Sequence, residues 1–142
     1  MKKVAATLVV TIFGLLGVFA WVWVGDLFEE PPLVYTRLPM PVNPKVVKAG
    51  GVILVDVALC NNDDVSRNYL ITRKLKNVDG GQDIQLPSHT VTVDPGCKTL
   101  TGLPVNIPTY AQGRYVDSGV SYIEGRRKHF VIPWSTEPFL VE

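Results

Sequence analysis

Residues 4–25, VAATLVVTIFGLLGVFAWVWVG, run for 22 residues without a charged side chain. As a helix this run would extend about 33 Å at 1.5 Å per residue, enough to cross a hydrocarbon core of roughly 30 Å. It has no polar face to offer water, which counts against a buried helix of a soluble protein. Lys2 and Lys3 precede the run, and Asp26, Glu29 and Glu30 follow it. Basic residues stay on the cytoplasmic side, so the expected orientation is N-terminus in and C-terminus out. Trp21 and Trp23 fall at the outer end, where indole rings favour the headgroup boundary.

A cleaved secretory signal is the competing reading. Met1-Lys2-Lys3 suits its basic start, and Val18-Phe19-Ala20 offers a cleavage site after Ala20. The apolar run before Ala20 is long for such a signal, however, and it continues through Trp21-Val-Trp-Val24. The anchor is therefore the preferred expectation. Either way the rest of the chain is exported. The expected division is a cytoplasmic tail over 1–3, a transmembrane signal anchor over 4–25, a spacer over 26–32 and a domain over 33–142.

The anchor also hides the character of the remainder. The whole chain is 46% apolar with a net charge of +1. Residues 26–142 carry 12 basic and 13 acidic side chains. That balance argues against a nucleic-acid partner, which needs a concentrated basic face. Its length suits one domain with a single core.

All 11 prolines and nine of the 12 glycines fall in this remainder. The stretches between them are short and rich in Val, Ile, Thr and Tyr, with no helical periodicity over ten residues. This is the punctuation of an all-β sandwich or barrel. Strands are expected at 33–38, 52–60, 69–76, 84–86, 90–93, 99–107, 114–123 and 129–134; the proline-broken stretch 39–44 bends the chain before Val46 and Val47, and 139–141 finishes the edge. In 69–76, Leu70 or Ile71 should point inward with Leu75, and Arg73, Lys74 and Lys76 toward water. Asp79-Gly80-Gly81 and Asp94-Pro95-Gly96 read as turns. Pro87 should separate 84–86 from 90–93, and Gly102 and Pro104 should interrupt 99–107. Seven or eight strands in about 110 residues is the size of an immunoglobulin-like β-sandwich.

Three motifs sharpen that expectation. Pro108-Thr-Tyr-Ala-Gln-Gly113-Arg-Tyr115 resembles the P-x-x-x-x-G-x-Y entry into the penultimate strand of bacterial and phage immunoglobulin-like domains. The turn Val93-Asp-Pro-Gly-Cys97 and the ending Trp134-Ser-Thr-Glu-Pro-Phe139 fit the same layout. With the basic N-terminus and single span, the chain resembles small membrane-anchored immunoglobulin-like proteins of bacteriophages and bacteria. The resemblance implies a tight turn at Gly113 and a corner hydrogen bond from Tyr115. It identifies no catalytic residue and no characterised function.

Cys60 and Cys97 are the only cysteines, and both lie in the exported part, where disulfides persist. A structural bridge is expected, with two buried free thiols as the alternative. Two cysteines and two distant histidines lack metal-ligand spacing, so no metal or cofactor is expected. His89 and His129 have no nucleophile in a recognisable context nearby, and no enzyme signature is present. Asn61 to Asp64 reads as a solvated polar loop.

The basic triplet Arg126, Arg127 and Lys128 lies between the last two long strands. If strands alternate from the membrane outward, the triplet returns to the membrane-proximal end. There it could meet lipid phosphates, pair with Asp63 and Asp64, or stay solvated. The functional expectation is a non-catalytic module displayed outside the cytoplasmic membrane. Its partners would be the bilayer and another envelope or virion protein. The rival readings are a structural subunit of a membrane or virion assembly, and a cleaved secreted protein.

Overall fold

The computed structural model describes residues 30–124 and 129–142. The span expected over 4–25 and the triplet Arg126, Arg127 and Lys128 lie outside the described residues. Within them the fold is all-β, with no helix. Ten strand segments follow in order. They are β1 (Leu33–Tyr35), β2 (Val42–Asn43), β3 (Val46–Val47), β4 (Val52–Asn61), β5 (Arg67–Asn77), β6 (Ile84–Val93), β7 (Gly96–Asn106), β8 (Gly113–Glu124), β9 (His129–Ser135) and β10 (Phe139–Val141).

The segments form two sheets. In the first, β4 is central, with β1 and β2 along one edge and β7 along the other. In the second, β8 has β5 on one side and both β9 and β10 on the other. β6 lies outside β5, and β3 runs parallel beside β10. The opening chain thus begins in one sheet and ends in the other. Its prolines explain the switch: Pro39, Pro41 and Pro44 offer no N–H to a ladder. The bonds Leu38–Pro39 and Asn43–Pro44 are both cis. Met40 N donates to Ser135 O at 2.8 Å, while Asp56 N donates to Pro41 O at 3.1 Å, so the crossing segment ties the sheets together.

Apolar inner faces meet between the sheets. Ile53 and Val55 of β4, Leu75 of β5, Val105 of β7, Tyr115 of β8 and Phe139 of β10 belong to one buried cluster. Leu33, Leu59, Tyr69, Val93 and Ile123 form a second. Tyr35 and Val57, half-buried, pack against both. The loop before β5, the Asp94–Gly96 turn and the end of β8 gather where the chain enters. Asn62 N donates to Pro32 O at 2.7 Å, and the buried Asn61 amide donates to Val65 O and Val93 O.

Three expectations about strands need correction. Of the two inward candidates Ile71 packs against the core and Leu70 points outward, 45% exposed, while Tyr69, not expected inside, is wholly buried. Period-two alternation then places Tyr69, Ile71, Arg73 and Leu75 on one face, so Arg73 turns inward and away from water. Pro87 does not divide its strand: β6 is continuous, because the β5–β6 register shifts between Ile71 and Arg73, opposite that proline. No ladder N–H is demanded there. Likewise β7 runs unbroken through Gly102 and Pro104. Its register with β4 shifts between Val55 and Val57, and Gly102, at φ +67°, donates its N–H to the Asp56 carboxylate at 2.9 Å. A bulge with glycine in the left-handed region absorbs the extra residue.

Candidate functional site

Three adjacent strands build the centre of the site. Arg73 of β5, Gly119 of β8 and Trp134 of β9 are successive cross-strand neighbours on the inner face. Gly119 has no room for a side chain. A Cβ there would lie 2.0 Å from Thr72 O and 2.8 Å from Trp134 Cζ2. The missing Cβ lets the indole lie over β8, and the Arg73 guanidinium carbon sits 5.9 Å from its ring centroid. That distance suits a cation–π contact.

Below Arg73 lies Asp117, two residues before Gly119 and wholly buried. Its carboxylate accepts from Arg73 Nε at 3.4 Å and from Nη2 in a short ion pair. Its backbone is fixed as well. Asp117 N donates to Thr136 Oγ1 at 3.0 Å, and Thr136 N donates to Asp117 O at 2.8 Å. Burial pushes the Asp117 carboxyl above its ordinary value, against the opposing pull of Arg73 and, less, of His89. Two residues beyond Gly119 on the same face, Ser121 Oγ shares a 2.7 Å hydrogen bond with the Tyr35 hydroxyl. Burial raises the Tyr35 phenol too, with Ser121 partly offsetting it. The Trp134 indole N–H is the exception. Among the described residues it is the one buried side-chain polar atom without a partner.

Of these groups Tyr35, Arg73 and Trp134 border an apolar cleft of about 420 Å³ between the sheets. Val55, Val57, Val91, Leu100 and Leu103 supply much of its wall, with Arg73, His89 and Trp134 among the polar members. It lies beside β6 and β7, each terminal in its own sheet. Pockets that take small ligands are of this size and character, mostly apolar with a few placed polar groups.

The outer face of the second sheet carries a different feature. Val131, Tyr122, Leu70 and Thr90 are consecutive cross-strand partners over β9, β8, β5 and β6. Val131 is 55% exposed, Leu70 45% and Tyr122 40%. Four strands thus present a row without a charge.

The residues singled out in the sequence fall elsewhere. Cys60 and Cys97 face each other across β4 and β7 and form a disulfide, 37 residues apart in sequence. Gly113 opens β8 at φ +111°. Tyr115 is buried, and its hydroxyl donates to Gln112 O at 3.1 Å. Asp63, one suggested partner for the basic triplet, is held by Arg67 at 2.7 Å, and that hydrogen bond lowers its carboxyl below the usual range. His89 lies within β6 and lines the cleft.

The sequence reasoning missed Arg73, Asp117 and Trp134 as a group. The signal was available in alternation. Tyr115, Asp117, Gly119, Ser121 and Ile123 share a face, as do Arg73 and Leu75, so two opposite charges enter one core.

No family model matches the sequence, and no curated protein matches it. Among solved structures the chain is similar to a family 123 glycoside hydrolase from Clostridium perfringens, at 12% identity and TM-score 0.37, covering 65% of this chain and 22% of that one. It is also similar to a beta-glucosidase from Listeria innocua, at 15% identity and TM-score 0.37, covering 80% of this chain and 17% of that one. The chain spans about a fifth of the length of these enzymes. Neither likeness reaches a level from which shared activity follows.

Proposed function

We propose that the chain is a non-catalytic binding module, an immunoglobulin-like sandwich held outside the cytoplasmic membrane by residues 4–25. The strand order supports the immunoglobulin-like reading. One sheet holds β1, β2, β4 and β7, and the other holds β5, β6, β8, β9 and β10, with the opening chain switching sheets at β3. The Gly113 turn and the Tyr115 hydroxyl bonded to Gln112 O fit the entry motif of that resemblance.

The observation that carries the binding reading is the uncharged row Val131, Tyr122, Leu70 and Thr90. A face crossing four strands, with three large apolar side chains at least 40% exposed, suits a protein partner. The partner is an envelope or virion protein. The basic residues Arg126, Arg127 and Lys128 remain candidates for contact with lipid phosphates or an acidic partner.

A photoreactive amino acid at Tyr122, in the full chain in its native membrane, tests this reading. A specific crosslinked protein is expected, and Leu70→Lys should abolish it. No crosslink at Tyr122, or crosslinks untouched by Leu70→Lys, would defeat the assignment of this face. A lone module and a permanent subunit differ in whether the partner stays bound. Recovery of the domain in a complex that survives washing would favour the subunit.

A further inference from the structure

We propose that the cleft beside β6 and β7 binds a single-chain amphiphile with one anionic head group, of which a fatty carboxylate is the simplest. This goes beyond the reading above, since it does not depend on what covers the outer face of β5, β8 and β9. Size is the first argument. At about 30 Å³ for each water-sized unit, 420 Å³ accommodates about 14 non-hydrogen atoms. A twelve-carbon carboxylate has that number, and a two-chain phospholipid has several times more.

The lining gives the second argument. Valines and leucines of β4, β6 and β7 make an apolar wall, which suits an alkyl chain. The polar lining offers donors: Arg73 and His89 line the cleft, and no aspartate or glutamate does. Asp117 lies behind Arg73, fully buried, so it fixes the guanidinium without facing a ligand. The bonds to Asp117 use Nε and Nη2 of Arg73, which leaves Nη1 to donate to an anion's oxygen, and the lining offers a cation no carboxylate.

The test uses the full chain in phospholipid discs and dodecanoate carrying a photoreactive diazirine near its methyl end. The matching dodecanol probe and a diazirine phospholipid serve as comparisons, and labelled peptides are mapped by mass spectrometry. Saturable labelling is expected in β6 and β7, with the carboxylate about tenfold tighter than the alcohol, the worth of one charge-assisted hydrogen bond. Leu100→Trp, at a residue 42% exposed on the cleft wall, should abolish the saturable label. His89→Glu, also at an exposed position, should weaken the carboxylate probe and leave the alcohol unchanged. Both variants should keep the Cys60–Cys97 bridge, which checks folding. Equal labelling by acid and alcohol would overturn the proposal. So would labelling by the phospholipid at the same peptides, labelling indifferent to Leu100→Trp, or no saturable labelling. A crosslink between two copies through β6 and β7, removed by Leu100→Trp, would assign the cleft to a second copy and overturn it too.

Discussion

Replacing Arg73 with Met should expose how the charged pair is balanced inside an apolar core. Asp117 is fully buried and the Arg73 side chain is 17% exposed, so the pair is screened little by solvent. In Arg73→Met the carboxylate loses its cation and keeps only its place in the sheet. Breaking one partner of a buried pair costs about 3–5 kcal/mol. A ceiling exists, because the carboxyl can take up a proton instead. For a carboxyl of ordinary acidity that uptake costs about 4 kcal/mol at pH 7 and about 1.5 kcal/mol at pH 5. The expected loss is therefore about 3–4 kcal/mol at pH 7, or roughly 12–16 °C in Tm for a domain of this size, and less than half of that at pH 5. The sign follows from Asp117 itself. Its carboxyl is already raised by burial in the native protein, so protonation favours the folded state as pH falls.

The double variant Arg73→Met with Asp117→Leu removes both charges and should return to within about 1 kcal/mol of the native protein. Urea and thermal unfolding of the domain, followed by circular dichroism at the two pH values, measure all four corners of the cycle. A loss under about 1 kcal/mol for Arg73→Met at pH 7, or the same loss at both pH values, would refute the reasoning.

Three further outcomes follow from the same packing. Reducing the Cys60–Cys97 bridge, or replacing both cysteines by Ser, should lower stability by about 4 kcal/mol on chain entropy for a 37-residue separation, read as a fall in the urea midpoint with a rise in m, because the unfolded chain expands without its crosslink. Gly119→Ala should cost at least about 2 kcal/mol, since the new Cβ meets Thr72 O at 2.0 Å, and should shift the near-ultraviolet signal of the Trp134 environment. Above pH 10 the domain should lose stability progressively. Burial pushes the Tyr69 phenol up to about 12, so the unfolded chain ionises first and the loss reaches about 2 kcal/mol by pH 12. An alkaline denaturant series flat between these values would contradict that assignment.

Much of the fold was legible because β punctuation is local. Proline and glycine positions delimited the strands around Cys60, Cys97 and Tyr115, and the exported setting made the bridge expected. The failures were tertiary. Pro87 and Gly102 read as breaks because their effect depends on a register shift in the neighbouring strand, which no local pattern reports. Arg73 was assigned to water on its chemistry, although alternation with Leu75 pointed inward. Its partner Asp117 lies 44 residues away, and only the β5–β8 register brings them together. The cleft was invisible for a related reason. It exists between edge strands of two different sheets, and their separation is not written in either strand alone.

The central claim is that residues 4–25 hold this domain outside the cytoplasmic membrane. The direct measurement is the intact mass of the chain from washed membranes, combined with protease added to the outside of spheroplasts. The account predicts an uncleaved chain retained in the membrane fraction, with the Pro31–Glu142 unit degraded or clipped from outside. A chain beginning at Trp21 in the soluble fraction, or a membrane-bound domain protected until the spheroplasts are lysed, would contradict it.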